Sequence, residues 1–151
     1  MLLFDNVKLF GTITPTKLVG LMNFSTKTEY GLRALVKLDP KLKAPVSLAL
    51  ISRSEGISLA YLERLFSLLK KAKIVKADLG VGGGYYLARP AKDISVLEIV
   101  EVLEGKILSY ACVKGKVCEH SSNCKIHPVW QRLYSEVRKT LSKMKLINIM
   151  K

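Results

Sequence analysis

Every thiol and every imidazole of the chain falls in one stretch, ACVKGKVCEHSSNCKIHPVW. Cys112, Cys118 and Cys124 are separated by five residues each time, and His127 follows the last after two more. Three sulfur donors and an imidazole so close together suit a bound metal, and three ligand sets compete. One is an iron–sulfur cluster held by the three thiolates and His127. The second is a structural zinc in a Cys₃His site. The third is a redox-active thiol site without metal. The gaps are longer than the short C-x-x-C-type pairs that zinc sites favour. A [2Fe–2S] core needs two ligands on each iron and accepts widely spaced donors on a glycine-containing loop. His120, just past Cys118, is the rival imidazole and is expected to be a solvated loop residue.

The elements around this loop decide what a metal there would do. The chain has 151 residues, enough for one domain with a core and an appended element. No apolar run approaches the roughly 18 residues that a membrane-spanning helix needs. The first 21 residues, MLLFDNVKLFGTITPTKLVGL, lack the basic start, apolar centre and cleavage site of a signal peptide. They are expected to be a non-native or disordered extension, with the native start at Met22. An odd cysteine count without an export signal argues against a disulfide framework and for a reduced, cytoplasmic protein. The formal charge is +13, and residues 106–151 carry ten basic side chains against two acidic. That excess suits a polyanionic partner, nucleic acid before membrane, and charge alone is explained as well by a merely solubilising basic surface.

STKTEYGLRALVKL reads as a helix with Ser25 as its cap and Tyr30, Leu32, Leu35 and Leu38 at helical spacing, ended by Pro40. PVSLALISRSEGI gives a short helix capped by Ser47, through Leu48, Leu50 and Ile51, stopping near Gly56. SLAYLERLFSLLKKAKIV is the clearest helix. Leu62, Leu65, Phe66 and Leu69 share its inner face, and Ala60, Glu63, Arg64, Ser67 and Lys71 its outer face, with Lys70 at the edge. Two helices joined by the tight RSEGIS turn make a helix-turn-helix, although an ordinary helical hairpin would give the same pattern.

The segment that follows favours the first reading. IVKADLGVGGGYYLARP predicts a strand, a glycine turn and a second strand from Tyr85 to Ala88, which is a wing. A dinucleotide-binding loop is excluded because Tyr85 stands where the third glycine should be. The glycines are instead expected to supply positive φ and close approach to a phosphate backbone. The candidate DNA contacts are Ser47, Ser58, Ala60, Tyr61, Glu63, Arg64, Ser67, Lys71, Gly82 and Gly83. A further helix, ISVLEIVEVLEG, is capped by Ser95, with Val96, Ile99, Val100 and Leu103 inward. After the cysteine loop, HPVWQRLYSEVRKTLSKMKL starts a long helix with Pro128 in its first turn. Its stripe of Trp130, Leu133, Val137, Leu141 and Met144 could pack on the chain's own domain, and a long terminal helix after a compact domain favours packing against a second copy of the chain. No paired carboxylates or nucleophile–base pair suggest an enzyme.

The expected architecture is therefore mainly α with a small β-hairpin wing. Residues 22–105 form a winged helix-turn-helix domain, 106–127 a cysteine-rich cluster-binding loop, and 128–151 a dimerisation helix and tail.

In this order, STKTEYGLRAL, PVSL, ISLAYLERLFSLLKKAKIV, GVGGGYYLARP, LEIVEVLEG and CKIHPVW resemble the Rrf2 family of bacterial transcription regulators. The resemblance runs from about Met22 to Ile147 and is closest to the iron–sulfur, IscR-type branch. It implies a homodimer with crossed C-terminal helices that binds a partly palindromic DNA operator. The helix from Ser58 would enter the major groove and the wing the adjacent minor groove. Glu63 would accept from a cytosine amino group, a pairing that suits its chemistry. The C-x₅-C-x₅-C-x₂-H spacing, with Trp130 three residues beyond His127, matches the branch that carries [2Fe–2S]. Nitric-oxide-sensing relatives generally have a wider first gap and a [4Fe–4S] cluster, which with zinc remains the alternative. The sequence departs from the family at Leu79, preceded by Asp78, where an arginine is common, and at Ala60 and Arg64. The implied function is a regulator that couples cluster status to promoter binding.

Overall fold

Serine hydroxyls start the first two helices of the computed structural model, which describes residues 25–40, 44–80, 82–105 and 124–150. The expected N-terminal extension lies outside these residues, as do Cys112, Cys118 and His120. Ser25 accepts from the Lys27 amide at the start of α1 (Thr26–Val36). Ser47 does the same for Leu50 at the start of α2 (Leu48–Glu55). Each hydroxyl satisfies an amide that has no partner within the helix, worth about 1 kcal/mol. Pro40 does not end α1. The helix stops at Val36, where the Lys37 and Leu38 amides turn back onto Ala34 and Leu35, and so place Leu38 in the core.

Gly56 closes α2 in the left-handed region, φ 66°, and leads into α3 (Leu59–Lys71). The helical period predicted its buried face correctly: Leu62, Leu65, Phe66 and Leu69 are all core. α3 ends in a Schellman turn, with the Ile74 amide on Leu69 O (2.9 Å) and the Lys73 amide on Lys70 O (3.0 Å). The residue that takes the left-handed conformation there is Lys73, φ 57°, where glycine would cost less.

β1 (Val75–Asp78) and β2 (Gly84–Leu87) pair antiparallel, in register from Val75 with Leu87 to Asp78 with Gly84. The hairpin is tied to the body by Val46, which exchanges both backbone hydrogen bonds with Tyr85 at 2.9 Å. Tyr85 also sets its ring edge-on to Phe66, with centroids 4.9 Å apart. The turn glycines do adopt positive φ, at Gly80 and Gly82. Gly83 and Gly84 also lie close to protein backbone: a Cβ at Gly83 would lie 2.4 Å from Asp78 O, and one at Gly84 would lie 2.6 Å from Val46 O, whereas Gly82 faces open space among the described residues.

α4 (Val96–Glu104) is capped by Ser95 and buries Val96, Leu97, Ile99, Val100 and Leu103. Its last residue, Glu104, reaches the start of α1 and accepts from Ser25 Oγ (2.5 Å), Thr28 Oγ1 (2.8 Å) and the Thr28 amide. Burial opposes ionisation of Glu104, and these hydrogen bonds outweigh it, holding its carboxyl below the usual range.

α5 (His127–Lys143) lies along α4, held by the Arg138–Glu101 pair. It is shorter than its sequence pattern. The chain turns extended at Met144 and forms the short α6 (Leu146–Ile149). Here the backbone pairs with the segment before α4: Val96 N with Met144 O, Leu146 N with Ile94 O, and Ile147 N with Ala91 O. Leu146 is completely buried in the same core as Phe66 and Leu62.

α1 and α2 are joined by Glu55, which takes hydrogen bonds from Lys37 (2.7 Å) and Arg33 (2.9 Å). The Lys37 ammonium, then the Arg33 guanidinium, hold the Glu55 carboxyl below its usual range against the opposing effect of burial. A depressed carboxylate pKa contributes stability above the unfolded-state value, and that contribution is lost as pH falls through the folded value. Glu55→Gln should therefore be less stable than wild type at neutral pH. The gap should close below the folded-state pKa in denaturation series over pH, and a gap unchanged in acid would mean the ion pairs contribute nothing.

Candidate nucleic-acid interface and metal centre

A face that reads DNA needs side chains carried on a rigid element, free of internal partners and open to solvent. The inner face of α3 is locked in the core, so its outer face is fixed by packing. Ala60, Glu63, Arg64, Ser67 and Lys71 are all exposed there. Glu63 and Arg64 enter no ion pair among the described residues. Ser58 is exposed at the start of α3, and its hydroxyl makes no capping bond.

Two expected contacts have structural work of their own. The Ser47 hydroxyl is occupied by the cap of α2. Tyr61 is half-buried, its ring edge-on to Tyr30. Gly82 is exposed in the hairpin turn, and Gly83 is half-buried under it. Just before the hairpin turn, Leu79 is 89% exposed beside Asp78, so this flank of the wing presents an apolar side chain and a carboxylate to solvent.

Pattern reasoning missed the basic cluster beyond the reading face. Lys70, Lys73, Lys76 and Arg89 gather around the outer face of the hairpin. The signal was present in KKAKIVK, but the lysines fall on a helix end, a turn and a strand, so no single period relates them.

Of the expected metal ligands, Cys124 and His127 are among the described residues. Cys124 carries a free thiol and is half-buried. Its carbonyl accepts from the His127 amide at 3.2 Å, which puts both side chains in the turn that starts α5. His127 Nδ1 is buried without a hydrogen-bond partner among the described residues. An unsatisfied buried nitrogen costs about 1–3 kcal/mol, a cost that ligation would remove. These two residues fit an iron–sulfur or zinc ligand set.

The stripe on α5 has no fully buried member. Val129 is 60% exposed and Leu133 is also exposed, while Trp130, Val137 and Leu141 are half-buried. Met144 stands beyond the helix as its C-cap. No helix among the described residues is long and apolar enough to cross a membrane.

A family model described as Rrf2, iron-dependent transcriptional regulator, matches residues 24–151. The HTH-type transcriptional regulator IscR of Vibrio atlanticus is 37% identical over 133 residues, covering 86% of this chain and 76% of that protein. The solved structure of T. potens IscR is 35% identical with a TM-score of 0.63, covering 83% of this chain and 84% of that one. CymR, the global cysteine regulator of B. subtilis, is 32% identical with a TM-score of 0.69, covering 83% and 94%.

Proposed function

The chain belongs to the Rrf2 family of winged-helix transcriptional regulators, and from that premise we propose that it is an IscR-like regulator that senses an iron–sulfur cluster. Its similar proteins are regulators and not enzymes. Since similar folds include both an IscR and a cysteine regulator, the ligand set and not the fold identifies the signal. The observation that carries the reading is the buried Nδ1 of His127, without a hydrogen-bond partner among the described residues, one turn from the Cys124 thiol. With Cys112 and Cys118 these residues would hold a [2Fe–2S] cluster, which would supply a redox- and supply-sensitive occupant to the loop.

α5 carries this turn at one end. Its other end enters the tail that pairs with residues 91–96, directly after the wing. These bonds would give a displacement at the start of α5 a route to the segment that follows the hairpin. The partly exposed α5 stripe is the surface on which a second copy would pack, giving a homodimer that reads a partly palindromic operator in the cytoplasm.

The reading face supplies the test. Glu63→Ala should relax discrimination at one base pair in each half-site, redistributing roughly 1–3 kcal/mol among sequences. Lys71→Ala should weaken all sequences alike and reduce the salt dependence. Selection of operators from a random pool, followed by affinity measurements on the substituted sites, reads both effects. An unchanged base preference in Glu63→Ala would remove this face from the interface.

A further inference from the structure

The basic cluster beside the wing has the form of a ligand site as well as a charged surface. A cleft of about 480 Å³ opens between the end of α3 and the outer face of the hairpin. Among the described residues it is lined by Lys70, Lys73, Lys76, Arg89 and Tyr86, with small apolar side chains between them. Lys76 and Tyr86 are directly opposed across β1 and β2, so an ammonium and an aromatic ring stand side by side on one exposed face. Arg89 is paired with Glu98, while Lys70, Lys73 and Lys76 enter no ion pair among the described residues. Its Nε is buried without a partner among the described residues.

Lys73 gives the second, independent observation. It occupies the left-handed position of the Schellman turn, where glycine is favoured and a lysine is strained. A residue kept in a costly conformation points to a role for its side chain. Lys70 stands two helical turns, about 10 Å, along α3 from Glu63 and beside Lys71, at the edge of the outer face.

We propose that this cleft binds a nucleotide, with its phosphates on Lys70, Lys73 and Lys76 and its base stacked on Tyr86. Lysine ammonium groups suit terminal phosphates as point charges, and an exposed tyrosine ring suits any base. The volume is that of a small-ligand site.

Calorimetric titration of the full-length, anaerobically prepared protein with ATP, pyrophosphate and adenosine at low ionic strength tests this. ATP should bind saturably and more tightly than either fragment. Lys73→Gly should weaken ATP about tenfold, equivalent to ~1.4 kcal/mol, while its thermal midpoint stays level or rises because the strain is relieved. Tyr86→Ala should weaken ATP and leave pyrophosphate unchanged. Lys139→Ala, an exposed cation on α5, should do neither. Absence of saturable ATP binding, an unaffected Lys73→Gly variant, or an equal loss in Lys139→Ala would overturn the site. Pyrophosphate binding as tightly as ATP would overturn the nucleotide assignment. Displacement of ATP by short random duplex DNA, with Lys73→Gly weakening that DNA by the same factor, would assign the lysines to the DNA backbone instead.

Discussion

Anaerobically prepared protein should be reddish-brown and become colourless when Cys124 is replaced by alanine. Iron and sulfide should each be near about two per chain, with broad absorption beyond roughly 400 nm. Cys112→Ala and Cys118→Ala should lose colour as completely, since each removes a thiolate for which the sequence offers no replacement: the chain has three cysteines. His127→Ala should leave a labile cluster, and His127→Cys a tighter one, because a thiolate is the stronger donor. His120→Ala should change little, which separates the two imidazoles. Loss of the cluster should alter operator affinity or choice without unfolding the domain. The reason lies in the core, which is built from α1 to α4, the hairpin base and Leu146, and contains neither Cys124 nor His127. Colourless protein with one zinc per chain, after anaerobic purification from iron-replete cells, would replace the sensor by a structural staple.

Regular elements with one wet face were legible because their periods are local. α3 announces its core through Leu62, Leu65, Phe66 and Leu69, and the same wheel leaves Glu63 and Arg64 outside. Ser25, Ser47 and Ser95 were readable as caps because the capping bond spans only two or three residues. Features set by distant partners were not. Val46 looks like a loop residue, yet it extends the hairpin through Tyr85, thirty-nine positions away. Leu50 fits the apolar pattern of α2 and is nevertheless 62% exposed. The packing of Gly83 and Gly84 against the chain's own backbone carbonyls was not legible in the glycine run either.

The candidate site divides in the same way. Residue type and spacing singled out Cys124 and His127, but not the burial of Nδ1, which depends on how α5 is seated. The outer face of α3 followed from its period, whereas the lysine cleft joins three elements and could be seen only after they had folded together.

The end of α5 is where this distinction has its largest energetic consequence. The apolar stripe on the sequence runs on through Met144, and neither glycine nor proline marks a stop. The helix ends at Lys143 because the tail gains more elsewhere: Met144 O, Leu146 N and Ile147 N pair with residues 91–96, and Leu146 enters a fully enclosed site. Leu146→Ala should cost about 2–5 kcal/mol, the lost transfer energy plus the cavity left among neighbours fixed by other contacts. Met144→Ala should cost less than about 1 kcal/mol, since its side chain is 49% exposed and its carbonyl keeps the bond to Val96. Denaturant unfolding of the two variants in parallel measures the difference, and equal costs would show that the tail is not part of the core. Loosening the tail also frees α5 from the segment behind the wing, so Leu146→Ala should narrow the difference in operator affinity between cluster-loaded and cluster-free protein. A difference of wild-type size in a demonstrably destabilised Leu146→Ala protein would mean that the loop reaches the wing by another route.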